Sequence, residues 1–145
     1  MADDTKVLES TPVSVSLVVL CDLCVLVNIS EDGASFPFDY LRCHRESAQD
    51  AASRVLTEIS GLDVAGANWI PVDVRSIPGR ENPDGAYSVD IGYLTIVSVS
   101  DLPELENPDF KWHIINLDQK DFPLPLVKDH DQLWAAAYDM FNLMR

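Results

Sequence analysis

The chain has 145 residues, enough for one domain to bury a core without disulfide or metal staples. Hydrophobic residues make up 47%, which argues against a disordered chain, and 24 acids against 10 bases give a net charge of −14. Such a surface repels phosphate backbones, which argues against direct nucleic-acid binding, and no apolar run is long enough to span a bilayer.

Residues 1–11, MADDTKVLEST, are polar and acidic and read as a flexible leader. They lack the basic region of a signal peptide, so the expected location is cytoplasmic, and residues 12–145 are expected to form a single domain. The β-branched run from 12 to 28 predicts two strands broken near Cys21 and Asp22. EDGASFPFDY, with Gly33 and Pro37, reads as a loop. A helix is then predicted from Ser47, an N-cap with Asp50 three residues on, to about Ser60, with Gly61 as the terminating residue.

ANWIPVDVRSI predicts a strand whose proline marks a sheet edge, and PGRENPDG is a turn cluster. AYSVDIGYLTIVSV predicts a long strand, with Val89, Ile91 and Tyr93 on one face. DLPELENPDF reads as a loop, KWHIINL as a short strand and DFPLPL as a connector. The final stretch predicts a helix in which Leu133, Ala137 and Phe141 recur at i+4 and Trp134 and Tyr138 widen the stripe, with Asp129 as its N-cap. Strands, helix, strands, helix is the order of an α+β or mixed-sheet sandwich.

Three cysteines, Cys21, Cys24 and Cys43, argue against a disulfide framework. In a continuous strand Cys21 and Cys24 would point to opposite faces, so they read as buried structural thiols rather than a metal or redox pair. His44, His113 and His130 have no metal-ligand spacing, and neither a P-loop nor a Ser-nucleophile motif is present.

The segment from Tyr40 to Leu62 resembles the Nudix box, G-x5-E-x7-R-E-U-x-E-E-x-G-U with U aliphatic. Glu46, Arg54, Leu56, Glu58, Gly61 and Leu62 fall on its positions without a gap. Tyr40 replaces the box Gly, Val55 the Glu after Arg, and Ile59 the second Glu of the pair. RSIPGRENPDGAYSVDIGYLTIV is similar to the R-D-P-R-G and V-S-x-A-Y segment of ADP-ribose-type members and their regulator relatives. PLPLVKDHDQLWAAA is similar to the P-L-A-F-D-H stretch opening their last helix.

The resemblance implies an α/β/α sandwich around a mixed sheet and, for active members, hydrolysis of a nucleoside diphosphate linkage with Mg²⁺ held by box carboxylates. Of that cluster only Glu58 remains, with Glu46 as a weaker second metal candidate; Val55 and Ile59 offer no donor. A row of Glu46, Asp50, Arg54 and Glu58 spaced by four is also what a solvated helix laced with ion pairs would carry. Arg42, Arg54, Arg75 and Arg80 are candidate ligand contacts, because bases are scarce here and a guanidinium grips phosphate bidentately.

The expectation is therefore a catalytically impaired module that binds an ADP-ribose-like nucleotide or a protein partner. Its rival is a Mg²⁺-dependent hydrolase with relocated ligands, drawn for example from Glu81, Asp84, Glu104 and Glu106. The resembled group commonly forms homodimers, and the long apolar strands allow one here.

Overall fold

The apolar run near the start of the chain folds back on itself as β1 (Val13–Cys21) and β2 (Cys24–Ser30). Asp22 takes a positive φ of 56° at the turn, a conformation that Asp tolerates better than most residues and that suits a two-residue hairpin. Cys21 and Cys24 are consequently cross-strand partners on one face, not split between faces as a continuous strand would require. Burial, with Asp22 beside it, raises the Cys24 thiol above its ordinary value and keeps it in the unreactive protonated form.

The computed structural model describes residues 12–42, 45–61, 67–78, 87–98, 102–127 and 129–145. The expected leader, Cys43, His44, Arg80, Glu81, Asp84 and the rest of the PGRENPDG turn cluster after Pro78 lie outside the described residues. Where a loop was expected, two short strands form: β3 (Gly33–Ser35) pairs with β2 and β4 (Phe38–Tyr40) pairs with β1. Helix α1 (Ala48–Ser60) follows. Then come β5 (Ile70–Pro78), β6 (Tyr87–Val97), β7 (Phe110–Ile114) and helix α2 (His130–Met144).

The sheet runs β3-β2-β1-β6-β5, with β7 also on β2 and β4 also on β1. β1 and β6 are parallel along their length, from Val13 opposite Val89 to Cys21 opposite Val97; the other pairings are antiparallel, so the sheet is mixed. β5 is an edge, as its proline predicts.

β1 is buried on both faces, and its alternation sorts the core into two layers. Val15, Leu17 and Val19 pack with Ala51, Ala52, Val55, Leu56 and Ile59 of α1, together with Trp69 and Tyr93. Val18 and Leu20 pack with Leu133, Trp134 and Ala137 of α2, together with Phe36 and Leu94. The result is an α/β/α sandwich with, among the described residues, one helix on each face. No helix among the described residues is long and apolar enough to cross a membrane.

The two helices end differently from one another. Ser47 Oγ accepts the Asp50 amide at 3.0 Å, and Gly61 closes α1 with φ 73° while its amide reaches Thr57 O at 2.7 Å. Asp129 does not cap α2 with its side chain, contrary to expectation. Its carboxylate is drawn instead to an arginine of β5.

Candidate functional site

α1 presents its charged face to the segment that leaves β4, and Arg54 ties the two together. Its Nε lies 2.8 Å from Glu46 Oε2 and its Nη2 3.0 Å from Glu46 Oε1, a bidentate pair. Nη2 also donates to Tyr40 O at 2.9 Å, and Nη1 to Asp39 Oδ2 at 2.9 Å. Glu46 Oε1 accepts the Arg42 amide at 3.0 Å as well. The Arg54 guanidinium and then the Arg42 amide pull the Glu46 carboxyl from its ordinary 4.5 down to about 2. Arg54 is raised above its ordinary range, chiefly by its hydrogen bonds to Glu46. Both side chains are thereby spent on stapling the 39–46 segment to the helix.

Glu58 stands one turn further on. Arg42 Nη2 lies 3.0 Å from its Oε1 and 3.4 Å from its Oε2, and Arg54 Nη1 is 3.8 Å from Oε2. Arg42 is 59% exposed, the most open of the described candidate arginines. The cluster of Arg42, Arg54, Asp39, Glu46 and Glu58 holds two positive charges against three negative ones, so it leaves one net negative charge.

Val55 and Ile59 do not face this network. They are 4% and 6% exposed, inside the core layer between α1 and the sheet. Burying an aliphatic side chain of that size stabilises by about 1.5–3 kcal/mol, whereas an ionised carboxylate there would meet a desolvation penalty of several kcal/mol. Glu106 lies against the helix end: a Cβ on Gly61 would come within 2.3 Å of Glu106 Oε1. Among the described residues no three His, Cys, Asp or Glu side chains group as a metal site.

Arg75 sits on the other face of the sheet. It is 8% exposed and surrounded by carboxylates from three elements. Its Nη1 donates to Asp129 Oδ2 at 2.5 Å and Asp129 O at 3.1 Å, and its Nη2 to Asp90, which also accepts Ser14 Oγ at 2.5 Å. Its Nε is 3.0 Å from Asp73 Oδ2, an ion pair whose geometry falls short of a hydrogen bond. Gly92 makes room for this group, since a Cβ there would meet Asp73 Oδ1 at 2.3 Å and Leu133 at 2.5 Å. Burial raises the Asp73 carboxyl above its ordinary value, against the opposing pull of Arg75.

Of the candidate residues, then, Arg42, Glu46, Arg54 and Glu58 come together at α1, and Arg75 is enclosed on the α2 side. Asp39, Asp73, Asp90, Asp129 and Ser14 complete these networks without having been singled out as site residues. Arg75 and Asp90 are register partners on β5 and β6, and opposite charges inside two apolar strands are the signal that would have paired them. His130 is a core residue: buried, with Nδ1 accepting the Phe36 amide at 2.8 Å.

No family model matches the chain. A 106-residue stretch, 72% of the chain, is 34% identical to the dITP/XTP pyrophosphatase of Mycobacteroides abscessus, and it corresponds to 50% of that protein. The chain thus spans about half the length of the curated relative it matches.

Solved structures resemble it over more of its length. A MutT/nudix family protein from Enterococcus faecalis superposes with a TM-score of 0.68 at 16% identity, over 98% of this chain and 69% of that one. The NUDIX domain of Shewanella oneidensis NrtR, in complex with ADP ribose, gives 0.67 at 18% identity, over 94% and 92%. A mutT/nudix family protein from Listeria innocua gives 0.65 at 18% identity, over 92% and 95%. The chain has the Nudix fold.

Proposed function

We propose that this chain is a Nudix-fold binding module that has given up diphosphate hydrolysis. The burial of Val55 and Ile59 carries the reading. A divalent cation holding a diphosphate needs oxygen donors converging from one helix face, and Mg²⁺ in particular needs near-octahedral oxygen coordination. Here two of the three box positions that would supply them are aliphatic and closed into the core. The third, Glu58, has the Arg42 guanidinium at ion-pair distance as its counter-charge. The described residues therefore do not fit a resident Mg²⁺.

What remains is a rigid scaffold with an acidic surface. Arg54 and Arg75 are committed to carboxylates and leave little with which to grip an anion. Arg42 alone of the described candidate arginines is open enough to meet a ligand phosphate. That favours a protein partner over a nucleotide as the principal ligand. An ADP-ribose-like nucleotide stays as the second ligand class, supported by the likeness to the Shewanella domain.

The rival hydrolase reading draws on the similarity to a pyrophosphatase. The two readings separate in one assay: pure protein with ADP-ribose, dITP or XTP and Mg²⁺ or Mn²⁺. The expected result is no turnover above the uncatalysed rate. Turnover that disappears in Glu58→Gln would overturn the binding-only reading. Nucleotide binding without turnover would appear as a ligand-dependent rise in melting temperature.

A further inference from the structure

The α2 side of the sheet carries a hollow. A cavity of about 300 Å³ opens between the 120–126 segment and the first turns of α2, lined by Phe122, Leu124, Leu126 and Trp134. Its aromatic lining is fixed in place. Trp134 Nε1 donates to Lys120 O at 2.7 Å, the Phe122 ring meets Trp134 edge-on at 5.0 Å, and Phe36 stacks behind Trp134 at 6.2 Å. A pocket already ordered before binding loses little entropy on filling, which is the property of an anchor pocket.

The rim is acidic. Asp121 and Asp131 line it, both exposed, and the Gln132 amide holds Asp131 Oδ1 at 2.8 Å. The one base among the described lining residues, Lys120, has its Nζ 3.3 Å from Asp139. Size and charge together select the occupant. Small-molecule pockets span roughly 300–1,000 Å³, so this one sits at the lower bound, and two carboxylates repel a diphosphate. A long side chain with an aliphatic stem and a cationic head matches both the apolar lining and the rim.

We propose that this cavity docks an extended segment of a partner protein that presents lysine or arginine beside an aliphatic side chain. The stem lies along Leu124 and Trp134, and the head sits between Asp121 and Asp131. The chain's net charge of −14 draws basic partners toward it at long range. This site goes beyond the fate of the box acids, because it lies on the opposite face of the sheet from α1.

The test is an amide NMR titration of the whole chain with a capped peptide alternating leucine and arginine, beside its counterpart alternating leucine and glutamate. The arginine peptide is expected to shift the Trp134 indole N–H and the amides of Lys120, Asp121, Phe122, Leu124, Leu126 and 131–135, and the glutamate peptide to leave them in place. The joint substitution Asp121→Asn and Asp131→Asn should weaken binding about fivefold or more, on the scale of two rim charges. Ala135→Leu, which fills the cavity, should abolish it. Dispersion of the same spectra reports whether each variant is folded. Equal binding of the glutamate peptide, shifts elsewhere on the molecule, or unchanged affinity in the folded variants would each overturn the proposal. So would ADP-ribose or a second copy of the chain perturbing the same residues.

Discussion

Two arginine clusters are built from the same chemistry, guanidinium and carboxylate, on opposite faces of one sheet. Around Arg54 exposure rises outward, from 13% at Glu46 and 16% at Arg54 to 40% at Asp39 and 47% at Glu58, and the ions tie adjacent pieces of chain. Around Arg75 they are enclosed and tie pieces far apart, joining β5 and β6 to the start of α2. The first cluster ties Asp39, Arg42 and Glu46 to α1; the second joins β5 and β6 to the start of α2. Exposure, not residue type, sets what each is worth: an open pair contributes little, while a broken buried one leaves a stranded charge.

The largest effect should come from Arg75→Ala, which leaves three carboxylates facing one another; about 3–5 kcal/mol of unfolding free energy is expected to go in urea titration. A loss below 1 kcal/mol would mean the cluster is solvated and the contrast with Arg54 is false. Ile59→Glu, which restores a box acid, should cost about 3 kcal/mol by burying a carboxylate without a partner, and should bring no Mg²⁺-dependent hydrolysis. Arg54→Ala removes a bidentate, partly buried charged contact and should cost about 1.5–3 kcal/mol. Arg42→Ala should cost under about 1 kcal/mol, and that small cost should vanish in high salt.

pH sharpens the contrast because one carboxyl of each cluster, Glu46 and Asp73, is shifted in the opposite direction. The folded Glu46 carboxyl titrates near 2, below its ordinary 4.5, so its stabilisation is full above 4.5 and is lost as pH falls through about 2. Asp73 is raised, chiefly by burial, so its contribution is full below its ordinary 3.8 and is lost as pH rises through the folded value. Asp73→Asn should therefore flatten the decline of stability with rising pH above 3.8, and Glu46→Gln should flatten the acid limb. Melting temperatures of both variants followed upward from about pH 2 read the two slopes.

Elements whose signals are local were legible from the residues alone. Ser47 and Gly61 bracket α1 because a cap is a contact within one turn. The β1–β2 break and the long β6 announce themselves through β-branched runs. β3 and β4 were hidden, since strands of three residues have no periodicity to read and exist only because longer strands offer them an edge. Cys21 and Cys24 share a face because the break at Asp22 is a tight turn that lays the chain back beside itself, where a continuous strand would split them. Asp129 was assigned to capping by its position, but Arg75, 54 residues away, takes its carboxylate. At the site, the i+4 row of Glu46, Arg54 and Glu58 was visible, while Asp39 enters only when β4 meets α1.

The parallel pairing of β1 with β6 also has a consequence for how the chain is made. The apolar β1 leaves the ribosome well before β6 and can close a hairpin with β2 at once. Its other edge has to wait for residues 87–97, some seventy positions later. For that interval a long, sticky strand border stands unpaired, which is the circumstance in which nascent chains attract chaperones or one another.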